Sequence, residues 1–531
     1  MTTEHLTDER LIKDPAIRVT SWRLTLLVFV SGAVLMALEM AGSRVLAAHF
    51  GSSIYVWGSI IGIFLAALSG GYFVGGLAAD RKPSFLLLNV LVLVAGCWLL
   101  LLPLYANYVC RVIRSASLGA RLEPLLATTL LFGGPSILMG MVSPFAVRLA
   151  ASAIDRIGNT AGRLYAISTV GSIVGTLVTA FWLIPAIGVN TILKALGLTL
   201  IAVALIGLPK SRATLVAGLV VVLITVPALL LRSAPFISLR AGQHMRFEGD
   251  SAYHHVMVVD DQRLGSRMLR FNNHVQSIID QTPPYNSDSY TNSFELARIF
   301  KPKLTRVLFI GGGGAIGPRS FLEHDKDVSV DVVEIDPLVV DLSWDYFHLQ
   351  DDIRLKIYVE DGRRFVRRTP EKYDVVILDA FTAGGQIPFH LSTQEFMQEI
   401  KNVLTPDGLF LSNINSALDG PKSQILRAEY KTAASVFPSI YLFPRPFDNE
   451  RGPSKTLVQT SPRNVILIGL NAAGNWTPES VGSMAATLTQ QNAVRSPTFL
   501  IDALHLHKLP VRTNDVPLLT DDYAPVDTMV F

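Results

Sequence analysis

From Leu24 to about residue 231 the chain is almost continuously apolar, and a run of that length is hard to place in a water-soluble fold. A helix needs roughly 20 apolar residues to cross a hydrocarbon layer about 30 Å thick. The run divides into seven stretches of about that size, at 24–47, 56–79, 85–105, 123–147, 163–186, 189–208 and 213–231. Residues 24–231 are therefore expected to form a helical membrane domain, preceded by a polar segment, 1–23. From residue 240 onward the composition is that of an ordinary soluble protein. Glu4, Asp8, Glu9 and Asp14 make the N-terminal segment unlike a cleavable signal peptide.

Within the apolar half, Gly58/Gly62, Gly71/Gly75 and Gly171/Gly175 recur at the spacing that lets helix backbones approach in lipid. Glu39 and Arg44 fall inside the first stretch, where charge is costly. Each is expected either to meet a partner on another helix or to line a path for a polar or cationic ligand. Gly75–Arg81 resembles, over a short match, the loop motif of major facilitator transporters. Lys and Arg favour the cytoplasmic side. With the N-terminus inside, Arg10, Lys13, Arg18, Arg23, Arg81, Lys82, Arg148, Arg156, Arg163, Lys210 and Arg212 lie inside, and Arg111, Arg114 and Arg121 outside. Seven crossings would then leave the C-terminal domain outside, away from a cytosolic nucleoside supply, so the expectation is a miscounted span and a cytoplasmic domain.

A net charge of +3 with no basic stripe gives no reason to expect nucleic acid as a partner. Cys97 and Cys110 form no Cys/His cluster, so no metal and no disulfide framework is expected.

The soluble half changes pattern twice. His255–Val259, Arg267–Phe271 and Val275–Ile279 read as short strands of a small β-region, 240–300. From 301 to 531, strands alternate with helices: Arg306–Ile310, Val328–Ile335, Ile353–Val359, Tyr373–Leu378, Leu409–Ile414, Ser439–Phe443 and Val465–Leu470. Alternation of this kind implies an α/β fold with a largely parallel seven-stranded sheet covered on both faces. Ligands of such sheets sit at the C-terminal strand ends. There the sequence places Gly311, Gly312 and Gly313, then Glu334, then Asp361-Gly362, then Asp379. Glycines allow backbone to approach a ligand, Glu334 is spaced to accept from ribose hydroxyls, Asp361 to take an adenine amino group, and Asp379 to face the reacting end. The spacing suits a nucleoside better than a dinucleotide.

Val307–Gly314, Val332–Pro337, Glu360–Gly362, Asp379–Phe381 and Pro388–Phe396 resemble the spermidine synthase family of aminopropyltransferases. More narrowly, the whole chain resembles bacterial membrane proteins in which such a domain follows transporter-like helices; the tail Leu519–Asp527 is typical of that branch. The resemblance implies a protein of the bacterial inner membrane with decarboxylated S-adenosylmethionine, or S-adenosylmethionine, as co-substrate and a small amine or polyamine as acceptor. A homodimer stays open. The resemblance puts Gln276 and Asp379 beside the methionine-derived tail, with Tyr253 and Tyr290 on the substrate side. It also exposes departures. Gly314 stands where the soluble enzymes carry Asp, Thr382 where they carry the presumed catalytic Asp, and Tyr290-Thr291-Asn292 where they carry Tyr-His-Glu. Asp521, Asp522 or His390 could supply the missing base. Three readings follow: an aminopropyltransferase, an S-adenosylmethionine-dependent methyltransferase, or a polyamine transporter or nucleoside sensor whose synthase domain has lost catalysis.

Overall fold

A computed structural model describes residues 15–529, apart from 52, 151–156, 209–211, 232–236, 238, 284, 286–289, 383–384 and 452–456. Most of the polar segment 1–23 thus lies outside the described residues. The chain divides into two compact units, Met1–Ser238 with Gly249–His255, and Leu239–Glu248 with Val256–Phe531.

The first unit is helical. Its elements are α1 (Pro15–Phe50), α2 (Ile54–Arg81), α3 (Phe85–Ser115), α4 (Leu122–Ala150), α5 (Ile157–Val178), α6 (Val189–Gly207) and α7 (Arg212–Leu230). Among the described residues six helices, not seven, are long and apolar enough to cross a membrane. The seventh expected stretch is α7, whose apolar part among those residues is Val221–Leu230.

Lipid is as apolar as the helix surface, so helices in it associate by close packing. Gly171 and Gly175 on α5 do this against α1: a Cβ there would fall 2.2 Å from the Phe29 carbonyl oxygen and 2.0 Å from that of Ala33. Gly71 and Gly75 on α2 meet Ile137 and Met141 on α4 in the same way. Gly58 and Gly62 do not: both are exposed with nothing near, so that pair is no packing seam among the described residues. Arg44 finds its partners inside this unit, donating to the carbonyls of Ala252 and Tyr253.

The second unit opens with an antiparallel sheet, β1 (Gln243–Asp250), β2 (His255–Asp261), β3 (Ser266–Phe271) and β4 (His274–Asp280), in that order. β1 escaped the sequence reading because its residues QHMRFEGD are mostly polar and only half-buried; pairing, not burial, defines it. The main sheet comprises β5 (Arg306–Ile310), β6 (Ser329–Glu334), β7 (Leu355–Val359), β8 (Tyr373–Leu378), β9 (Leu404–Ser416), β10 (Ser439–Pro444) and β11 (Arg463–Leu470). Their order is β10-β11-β9-β8-β5-β6-β7. β7, β6, β5, β8 and β9 are parallel, and β11 and β10 run antiparallel at one edge. β5 shows why the sheet is a middle layer: Leu308 and Ile310 enter one apolar cluster, Val307 and Phe309 the other. Each such fully buried side chain contributes roughly 1.5–3 kcal/mol.

Candidate active site

The parallel strands open their C-terminal ends on one rim. Gly311 there has φ +94°, and a Cβ on it would lie 2.4 Å from the Asp379 carbonyl oxygen, so glycine is what lets the ends of β5 and β8 close. The N–H of Asp379 donates to Ile310 (2.9 Å), that of Gly311 to Val333 (2.9 Å) and that of Glu360 to the Glu334 carbonyl (3.1 Å). These bonds knit the four ends together. Gly362 belongs to the same rim, since a Cβ on it would strike the Ile310 side chain at 2.4 Å. The glycine loop, Glu334, Asp361-Gly362 and Asp379 are therefore neighbours.

Glu334 is buried. One carboxylate oxygen accepts from the N–H groups of Gly312 (2.8 Å) and Gly313 (3.4 Å), the other from Asp336 (3.0 Å). Burial pushes its pKa up, against the pull of those N–H groups. Three of about four acceptor positions of a carboxylate are filled, leaving one open. Glu334 also braces the loop.

Asp361 caps helix α8 (Gly362–Arg368): one oxygen accepts from the Arg364 N–H (2.9 Å) and the other lies 3.0 Å from His390 Nε2. Burial would raise its pKa, but the Arg364 N–H and the imidazole hold it below the usual carboxylate value. His390 is thus joined to the acid expected to read adenine. Arg363, next in the helix, donates to the His390 carbonyl (3.2 Å) and forms a two-pronged pair with Asp521. Asp521 also accepts from Thr393 (2.7 Å). Its hydrogen bonds to Arg363 keep its pKa low, and it is committed to anchoring the tail. Asp522 is exposed beside it.

At Asp379 the Tyr290 hydroxyl donates to one oxygen (3.0 Å) and the Asn413 amide to the other (2.9 Å). The same hydroxyl lies 3.1 Å from the Gln276 carbonyl, so its single proton serves one acceptor at a time. Burial pushes the Asp379 pKa up to about 7, against these two hydrogen bonds. Asn413 in turn accepts from Asn464 (3.1 Å), forming a relay across β9 and β11. Sequence reasoning missed Asn413, which follows the apolar run Leu409–Leu411 in the same strand.

Two departures from the family pattern have structural correlates. A Cβ on Gly314 would lie 2.9 Å from the Phe347 ring and 3.1 Å from Ser277 Cβ, so Phe347 fills the space an aspartate would need. Ser277, also missed, accepts from the Gly314 N–H (2.9 Å) and holds the loop from the small sheet. Thr382 closes a turn on Gln386, its N–H donating to that carbonyl (2.7 Å). Tyr253 is in the segment Gly249–His255, which groups with the helical unit.

Residues 294–446 match the spermine/spermidine synthase domain. The C-terminal part of this chain carries a spermidine synthase domain. It is 36% identical over 151 residues to a polyamine aminopropyltransferase of Vibrio vulnificus, covering 28% of this chain and 48% of that protein. Against that of Streptococcus uberis it is 29% identical over 212 residues, covering 39% and 72%. The chain thus spans about half the length of the first curated relative it matches. A probable spermidine synthase from Corynebacterium glutamicum is 21% identical, with 53% of this chain and all of that one covered and a TM-score of 0.38. The rim fits the nucleoside that this family implies: a cradle free of Cβ atoms, Glu334 with an acceptor position left, and an Asp361 carboxylate about one-third exposed.

Proposed function

We propose that the synthase domain transfers an aminopropyl group from decarboxylated S-adenosylmethionine to a small amine. The observation that carries this is Asp379, held by Tyr290 and Asn413 at the end of β8, beside the glycine loop. The loop, Glu334 and Asp361 bind the nucleoside. Asp379 holds the cationic acceptor and takes its proton, because an alkylammonium with a pKa near 10 cannot attack until it is deprotonated. The amine nitrogen then bonds to the methylene carbon next to the sulfonium. The C–S bond breaks, its electron pair goes to sulfur, and neutral methylthioadenosine leaves. Gly314 and Thr382 thin the acceptor side, which favours an acceptor other than that of the soluble enzymes. Incubating the full chain with labelled decarboxylated S-adenosylmethionine, S-adenosylmethionine and a panel of amines tests the reading. Aminopropyl product and methylthioadenosine support it. Methyl transfer from S-adenosylmethionine would favour the methyltransferase reading, and binding without turnover the sensor reading.

We further propose that the six apolar helices span a bacterial inner membrane with the synthase domain in the cytoplasm. Six crossings return the chain to its starting side after Gly207, so the basic-residue count and the nucleoside supply agree. A reporter fused after Phe531 should be active only as a cytoplasmic fusion.

A further inference from the structure

We propose that the helical unit holds its own binding site for a small primary amine, in the cavity between α1, α2, α4 and α5. The cavity measures about 140 Å³. At about 30 Å³ per water that is room for four or five waters, or for a short diamine. Half of its lining residues carry hydroxyls and none carries a formal charge. A packing defect in an apolar bundle would be lined by hydrocarbon and stay dry. Nor is the surrounding contact loose, since a Cβ on Gly32 would lie 2.4 Å from the Ser168 carbonyl oxygen.

The Ser31 hydroxyl points to a ligand: Ser31 is 4% exposed and, among the described residues, its oxygen has no hydrogen-bond partner. A buried hydroxyl without a partner is costly, and a ligand would recover that cost. The polarity of the lining points to a donor. Ser172 spends its proton on the Gly32 carbonyl (3.3 Å), which leaves its lone pairs as acceptors. Tyr72 and Tyr165, both about half-exposed, line the same cavity, and aromatic faces attract ammonium groups. Glu39 lies one helical turn beyond Leu35 on the same face of α1, placing an acid near a lining that itself carries no charge. With an acid one turn away and no cation in the lining, an amine suits this cavity better than a carboxylate.

The test uses the full chain in lipid nanodiscs and equilibrium binding of radiolabelled putrescine, in an Asp379→Asn background so that the strand-end site cannot consume the probe. Ser31→Ala and Tyr165→Phe remove one hydroxyl each with little change of shape, and together should weaken putrescine binding at least tenfold. Methylthioadenosine binding, measured alongside, should stay unchanged and report an intact chain. Putrescine binding unaltered by both changes, no binding by intact protein, or displacement by equimolar potassium chloride would each overturn the proposal. None of these arms depends on the synthase domain being active.

Discussion

The ring of Phe347 occupies the volume that a side chain on Gly314 would enter, with Cδ1 2.9 Å from the place of a Cβ. Phe347 is itself packed in the apolar cluster beneath the small sheet, so it cannot simply swing away. Gly314→Asp, which would restore the soluble family's acid, should therefore destabilise the domain by about 1–3 kcal/mol through overpacking. The damage should shrink when Phe347→Ala is added, a non-additivity that a double-mutant cycle in urea would measure.

Asp379→Asn should abolish transfer while leaving the circular dichroism spectrum and nucleoside affinity intact. Burial pushes the pKa of this carboxyl up to about 7, and a base must be deprotonated to act. kcat/KM should accordingly fall as pH drops below about 7, and kcat should break at lower pH, because the sulfonium's positive charge stabilises the carboxylate. A flat kcat/KM profile across that range would remove Asp379 as the base.

Thr382→Asp puts an acid where the soluble enzymes have one, at the end of a turn already closed by Gln386. It should raise aminopropyl transfer to diamines, read as methylthioadenosine released per minute. No gain would mean that the acceptor side differs by more than this group.

His390→Ala removes one hydrogen bond from Asp361. Such a bond is worth about 0.5–1.5 kcal/mol, so calorimetry should find methylthioadenosine bound roughly two- to tenfold more weakly. His390→Gln should recover part of the loss.

Glu429, on helix α9 (Gln424–Ala434), is fully buried beside Ser392, with no well-formed hydrogen bond to either carboxyl oxygen among the described residues. Burial pushes its pKa up to about 8, above an ordinary 4.5. The folded state therefore holds a proton that the unfolded chain releases, and this stability is present below pH 4.5 and lost as pH rises through 8. Glu429→Gln should flatten the decline and raise the melting temperature by roughly 4 °C or more at alkaline pH, where each kcal/mol recovered is worth about 2–4 °C. No difference between wild type and variant at alkaline pH would contradict a buried, protonated glutamate.

Much of this was legible in the sequence because it is local. Arg306–Ile310 and Tyr373–Leu378 are strands by their apolar runs, and chain order alone puts Gly311, Glu334, Asp361 and Asp379 at successive strand ends. The apolar block likewise announced helices of membrane-spanning length. What only the tertiary structure decided depends on residues far apart in the chain. Ser277 meets Gly314 across 37 positions, Asn413 meets Asp379 across 34 and Asp521 meets Arg363 across 158. No periodicity encodes such distances; they follow from the order of strands in the sheet and from how the small sheet and the tail fold back. For the same reason Gly71/Gly75 and Gly58/Gly62 have one spacing and two fates. A glycine pair makes a close approach available, and whether another helix takes it up is settled by where that helix packs.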